Sequence, residues 1–247
     1  MVDEEIGYPL ESDEEVGRLS NQHEVIKDEM GKLVLAPIDL SRPLRILDSV
    51  WHTAYVQGCG SDKAYPGTWI FDLTAFTIPT QHDFVGTDID PTHFPIEKSS
   101  QQSFFVKDIN KPWPEEWKES FDLVHQRLVL NGAGHLQREA VDRLLALVKP
   151  GGWVQLMETT NHVPASNGPA MRSFDTLMTG VFSWMGSSLS LADDLPAWLQ
   201  DAGFLDVEHR VVEMRLGRMN SNVHLAKKGT YSCIVAARWL SEFAKSK

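Results

Sequence analysis

Four short apolar runs, three of them closing on an aspartate, constrain this chain more than any other feature. Leu44-Arg-Ile-Leu-Asp48, Phe84-Val-Gly-Thr-Asp88 and Phe104-Phe-Val-Lys-Asp108 each end in an acid, and Phe121-Asp-Leu-Val-His125 follows a loop rich in Pro and Trp. Apolar runs of this length suit strands buried on both faces, with a functional side chain at the carboxyl end. A helical stretch from His135 to Val148 sets Leu136, Ala140, Val141, Leu144, Leu145 and Val148 on one side, and Lys149-Pro-Gly-Gly152 stops it before a fifth run, Trp153 to Met157. That punctuation marks a β-α-β crossover. Its repetition predicts an α/β fold, an open and mostly parallel sheet with helices on both faces, whose ligands bind beyond the carboxyl ends of the strands.

The flanking segments read as helices. Residues Asp13 to Met30 lack Pro and space Val16, Leu19, His23, Ile26 and Met30 along one face, which predicts an amphipathic helix over the sheet. Gly168 to Leu191 carries Phe174, Leu177, Met178, Val181, Phe182 and Met185 at helical spacing and reads as a lid. A helix from Asp193 to Ala202 ends at Gly203, Phe204 to Leu216 reads as a strand, and Asn222 to Lys245 is helical. The length fits one domain over 1–247, with an N-terminal helical cap over 1–40 and a core over 41–247 whose lid helix spans about 168–191.

Charge excludes one class of partner. The formal net charge is −11, and residues 1–30 hold ten Asp and Glu against Arg18 and Lys27. Nucleic-acid binders need a basic face, so no nucleic acid is expected. No basic segment followed by an apolar run opens the chain, and the longest uncharged stretch, Thr176 to Ala192, is interrupted by Ser, Thr and Gly. No membrane partner is expected, and the protein is expected to be cytoplasmic. Two distant cysteines without a CxxC spacing fit a reducing compartment and no metal site.

A nucleoside bound to such a sheet needs an acid at the end of the second strand, because one carboxylate accepts from both ribose hydroxyls. Asp88 is in that place. Asp108 ends the third strand and can accept from an adenine amine, with Ile109 offering apolar contact. Either acid alone could be a turn or cap residue, and two in series favour the ligand. The first loop departs from the usual pattern: Gly58-Cys-Gly60 looks like a glycine turn and Gly67-Thr-Trp69 like the start of a helix, yet both lie well beyond Asp48. Loops of this kind usually run about 2–6 residues, so Ser49 to Pro66 reads as an insertion.

In this order the motifs resemble class I S-adenosylmethionine-dependent methyltransferases, which have a Rossmann-like fold, and within them the fungal group that modifies secondary metabolites. The resemblance rests on Leu33-Val-Leu-Ala-Pro-Ile38, Arg45-Ile-Leu-Asp48, Gly67-Thr-Trp69, Phe84-Val-Gly-Thr-Asp-Ile-Asp-Pro91, Asp108-Ile-Asn-Lys-Pro-Trp113, Phe121-Asp-Leu-Val-His-Gln-Arg127 and Val148-Lys-Pro-Gly-Gly-Trp153. It implies methyl transfer from S-adenosyl-L-methionine to a small-molecule acceptor. Asp48, Gly58, Gly60 and Gly67 would flank the methionine portion, Asp88 would bind the ribose, Asp108 and Ile109 would frame the adenine, and Gln126 would lie near the cofactor after the fourth strand. The lid would present Met171, Phe174 and Met178 to the acceptor, with His162 beside them. The family ends on an antiparallel strand for which this sequence shows no counterpart, so the fifth strand is expected to keep an open edge through which a homodimer could form.

No catalytic residue is assigned from sequence. Methyl transfer is an in-line displacement that needs positioning above all, and a base is optional; His125, Glu158 and His162 fall at or beyond strand ends where a base would act. Each could equally be a solvated loop residue, and the Met and Phe face of the lid could be core. A non-catalytic binding or regulatory protein that keeps the fold is the alternative. A nicotinamide dehydrogenase lacks its G-x-G-x-x-G opening a helix and its Tyr-x-x-x-Lys pair, and a serine hydrolase lacks G-x-S-x-G.

Overall fold

In the computed structural model, residues 13–49, 69–95, 97–160, 164 and 166–246 are described. Five strands, β1 (Arg45–Ser49), β2 (Asp83–Asp88), β3 (Gln102–Val106), β4 (Phe121–Arg127) and β5 (Val148–Met157), form one sheet in the order β3-β2-β1-β4-β5, and every pairing is parallel. The helices are α1 (Asp13–Met30), α2 (Trp69–Phe76), α3 (Gln137–Leu145), α4 (Pro169–Trp184), α5 (Leu191–Asp201) and α6 (Val223–Ser246).

Alternation along the strands explains the two layers. Ile46, Phe84 and Leu123 point to one face, where they pack with Trp69, Ile70 and Leu73 of α2. Their neighbours Leu47, Val85 and Val124 point to the other and pack with Val141 and Leu144 of α3 and Leu191 and Leu195 of α5. A period of two on a sheet covered from both sides requires both sets to be apolar, which is why the strands read as continuous apolar runs. Ile46 is fully buried, so Ile46→Val should lower unfolding free energy by about 0.5–1.5 kcal/mol, measured by urea denaturation.

The acidity of the N-terminal segment has a structural counterpart. α1 packs along α6, and Glu14, Glu24 and Glu29 pair with Arg238, Lys228 and Arg215. Surface pairs of this kind add little energy each, but two of them join α1 to α6, and the third, to Arg215, ties α1 to the segment that precedes α6.

Three sequence readings change. Phe204 to Leu216 is not a strand: Val212, Met214 and Leu216 are more buried than the residues between them, as in a strand, yet no described strand pairs with this backbone. The fifth strand begins at Val148, not Trp153, because Lys149-Pro-Gly-Gly152 forms an irregularity against Phe121–Leu123. A Cβ on Gly152 would meet Val148 Cγ1 at 2.9 Å and Lys149 O at 3.0 Å, so the fold needs glycine there. The lid helix stops at Trp184 instead of reaching Leu191; Gly186, at φ +82°, turns the chain before α5. β5 ends the sheet, and its outer edge carries no strand among the described residues. No described helix is long and apolar enough to cross a membrane.

Candidate active site

A parallel sheet delivers all its carboxyl ends to one rim, and β1 and β4 meet where the connections diverge in opposite directions, the place where open α/β sheets bind ligands. A cavity of about 2450 Å³ lies there, lined by Asp48, Asp88, Asp108, Ile109, His125, Arg127 and Glu158 among others. Single-ligand pockets run about 300–1,000 Å³, so two molecules can sit side by side.

Asp88 and Asp108 therefore reach the same space. Asp88 is 1% exposed; its Oδ1 accepts from the Asp90 N–H at 2.8 Å and lies 3.2 Å from His93 Nδ1, whereas its Oδ2 is buried with no partner. Asp108 Oδ1 accepts from the Asn110 N–H at 2.8 Å, an Asx turn that fixes the loop. Lys107 donates to the carbonyls of Asp108 and Lys111, both at 2.8 Å, and Ile109 is buried against the core. Asn110 Oδ1 is a second buried acceptor without a partner on a residue lining the cavity. Native interiors leave few such acceptors, and two on one rim fit a ligand rich in donors, as an adenosine is.

The meeting point of β1 and β4 carries a compact assembly. Asp48 and His125 are register partners on adjacent strands, and His125 Nδ1 lies 2.7 Å from Asp48 Oδ1. Burial holds the His125 pKa below its ordinary value, against the pull of Asp48, so the ring is neutral and donates from Nδ1. Its face stacks on Trp69 with ring centres 3.9 Å apart and planes within 4°. Trp69 Nε1 donates to Leu33 O at 2.8 Å, and Gln155 of β5 bonds Leu35 N–H and Leu33 O, so the Leu33–Ile38 motif stitches α2 to β5.

Two residues further along β4, Arg127 Nη1 lies 2.9 Å from His23 Nδ1 of α1, and His23 Nε2 lies 3.1 Å from Asp72 of α2. A guanidinium only donates, so His23 accepts on Nδ1, carries its proton on Nε2 and gives it to Asp72. Burial lowers the His23 pKa, and the Arg127 charge lowers it further, which agrees with a neutral ring. Lys27 also bonds Asp72, at 2.5 Å. Protonating His23 would place two cations face to face. Acidification below about pH 6.5, the ordinary range of histidine, should therefore loosen α1 before the sheet, seen as faster amide exchange in α1 at pH 5.5 than at pH 7.5 under rate-corrected conditions.

Glu158 follows β5. Its Oε1 accepts from Gln126 Nε2 at 2.7 Å and from the N–H groups of Val129 and Leu130, both at 2.9 Å, whereas Oε2 is buried without a partner. Burial pushes its pKa up to about 7 against those three donors. Gln126 is itself wholly buried and bonds Glu158, on the opposite face of β4 from His125 and Arg127. On the far wall, Met171, Phe174, Met178, Val181 and Phe182 of α4 line the cavity. Gly58, Gly60, Gly67 and His162 lie outside the described residues. Sequence reasoning missed Arg127, His23 and Trp69 as site residues; the available signal was the period of two along Leu123, His125 and Arg127, which puts all three on the α2 face.

The sheet order and its acidic rim define a Rossmann-like α/β fold with a nucleoside-type rim. A solved complex of the Haloferax volcanii Trm112 methyltransferase activator with its candidate methyltransferase shares the fold, at a TM-score of 0.53 and 15% identity over 83% of this chain and 81% of that one. No protein-family model matches the sequence. The chain is 36% identical to the N-methyltransferase gliN of Aspergillus fumigatus over 92% of its own length and 78% of that protein's. It is 36% identical to the N-methyltransferase sirN of Leptosphaeria maculans, over 90% of this chain and 74% of the relative. With the N-methyltransferase tcpN of Claviceps purpurea the identity is 35%, over 93% and 80%. The chain belongs to the fungal secondary-metabolite group of class I S-adenosylmethionine-dependent methyltransferases.

Proposed function

We propose that this methyltransferase binds S-adenosyl-L-methionine along the carboxyl rim and methylates a nitrogen of a small, largely apolar acceptor held beneath α4. The observation that carries the cofactor half is Asp88 Oδ2, a buried carboxylate oxygen at the end of β2 with no protein partner. A ribose diol supplies the donors it lacks. Asp108 and Ile109 frame the adenine in this reading, and Asp48, with Gly58, Gly60 and Gly67, flanks the amino-acid portion. S-adenosylmethionine supplies a methyl group on a sulfonium, open to in-line displacement.

The protein's part is to position and to exclude water. The relatives named N-methyltransferases support nitrogen as the acceptor atom. The Met and Phe side chains of α4 favour an apolar acceptor body because they are adaptable and carry no charge. Glu158, with its pKa raised to about 7, is a rim group able to hold a proton near neutral pH, whereas His125 is neutral there and held by Asp48. A non-catalytic binding module finds no support among these relatives.

Titration calorimetry tests the reading: S-adenosylmethionine and S-adenosylhomocysteine should bind a folded sample and NAD should not. Absence of binding by such a sample would refute it. Self-association belongs at the outer edge of β5, where Trp153, Val154, Leu156 and Met157 are only partly buried. A homodimer there predicts a sedimentation coefficient that rises with protein concentration; a constant monomer value rejects it.

A further inference from the structure

Arg127 ends β4 and lines the cavity, half-buried, on the same face as His125. Its guanidinium has five N–H donors and keeps its charge at any working pH. Among the described residues it makes one side-chain hydrogen bond, to the neutral His23, and no carboxylate lies within ion-pair distance of it. Burial disfavours its charge, while Asp48 and Asp72 attract it from farther away. Asp72 is already engaged by His23 and Lys27, and Asp48 by His125. Of the other cations on the wall, Lys107 bonds two carbonyls and Arg210 pairs with Glu208. A partly buried cation whose attracting carboxylates stand beyond ion-pair distance is only partly compensated, and a planar fork is shaped for a carboxylate.

Chemistry nearby narrows the ligand. Asp48 stands on the neighbouring strand, on the same face, with the opposite charge. An anion site at Arg127 next to a cation site at Asp48 matches the two ends of an α-amino acid. We propose that Arg127 seats the carboxylate of the cofactor's amino-acid tail, a role that rests on the cofactor reading above. His23 is then a positioning residue: by accepting one N–H of Arg127 it orients the fork, and through Asp72 it links α1 and α2 to an occupied tail site.

The test compares S-adenosylhomocysteine with 5′-methylthioadenosine, which keeps the nucleoside and the sulfur but lacks the carboxylate and amine. Calorimetry is run on the wild-type chain, Arg127→Gln and Arg127→Lys. Arg127→Gln should weaken S-adenosylhomocysteine by at least about tenfold, the size of one charge-assisted contact, and leave 5′-methylthioadenosine within about twofold, with Arg127→Lys in between. Retained 5′-methylthioadenosine binding also shows that the variants are folded. Equal loss for both ligands, or no loss for either, overturns the assignment of Arg127 while leaving the cofactor reading intact. Failure of the wild-type chain to bind either ligand overturns the cofactor reading itself.

Discussion

Replacing Asp88 with Ala is expected to weaken S-adenosylhomocysteine binding by on the order of 100-fold or more, since two charge-assisted hydrogen bonds at about 1.5–3 kcal/mol each are removed. The expectation follows from how the two oxygens of this side chain differ. Oδ1 is held by the Asp90 N–H and His93, which fixes the carboxylate, while Oδ2 stays buried and unpaired at the rim. A preorganised acceptor binds without a further ordering cost. Asp88→Asn should retain the loop contact and lose less affinity, because an amide keeps one acceptor oxygen but turns a donor toward the ligand. Losing the Oδ1 contacts to the Asp90 N–H and His93 is offset in the fold by removing a buried carboxylate oxygen that has no partner, so the circular dichroism spectrum should change little. Calorimetry on the three proteins reads the effect. Unchanged affinity in Asp88→Ala would remove the ribose assignment and with it the registration of the cofactor on the sheet.

The positions of these rim acids were legible in the sequence for a physical reason. A strand buried on both faces has to be apolar, so an acid at its end stands out, and Asp48, Asp88 and Asp108 were each visible as the close of an apolar run. The cavity indeed gathers all three. Helices α1 and α6 were equally plain, because a long helix with one covered face repeats its pattern over several turns. Phe204 to Leu216 misled because alternation reports only which side chains are covered; a strand also needs a neighbour to bond, and none of the described strands supplies it. The lid was read as too long because apolar spacing runs on past Trp184, and only the positive φ of Gly186 reveals the break. The network of Arg127, His23 and Asp72 joins positions 104 and 49 residues apart. No local pattern encodes such contacts, since each residue is unremarkable until the sheet brings β4 under α1 and α2.

Glu158 is expected to make the protein less stable as pH rises from about 4.5 to 7, opposite to the usual carboxylate. Its folded-state pKa is raised to about 7 from the ordinary 4.5. The unfolded chain therefore gives up this proton first. Between those values the folded state holds more protons than the unfolded one, so unfolding becomes easier with each step in pH, and the loss is complete once pH exceeds the folded value. The gap corresponds to on the order of 3 kcal/mol. His23 and His125 work in the other direction: burial lowers their pKa, so their contribution is present at high pH and is lost as pH falls below the ordinary histidine value. A single melting curve of the wild-type protein mixes these effects, and a difference against Glu158→Gln separates them, because both proteins share the histidines. The glutamine carbonyl can accept from Val129, Leu130 and Gln126 as the carboxylate does. Relative to wild type, Glu158→Gln should gain on the order of 5–10 °C in melting temperature on going from pH 5 to pH 8, by the usual conversion for a chain of this size. A difference that stays flat across that range would mean Glu158 ionises as an ordinary carboxyl. Its unpaired Oε2 would then be solvated, and Glu158 would no longer be a group poised to exchange a proton with a nitrogen acceptor.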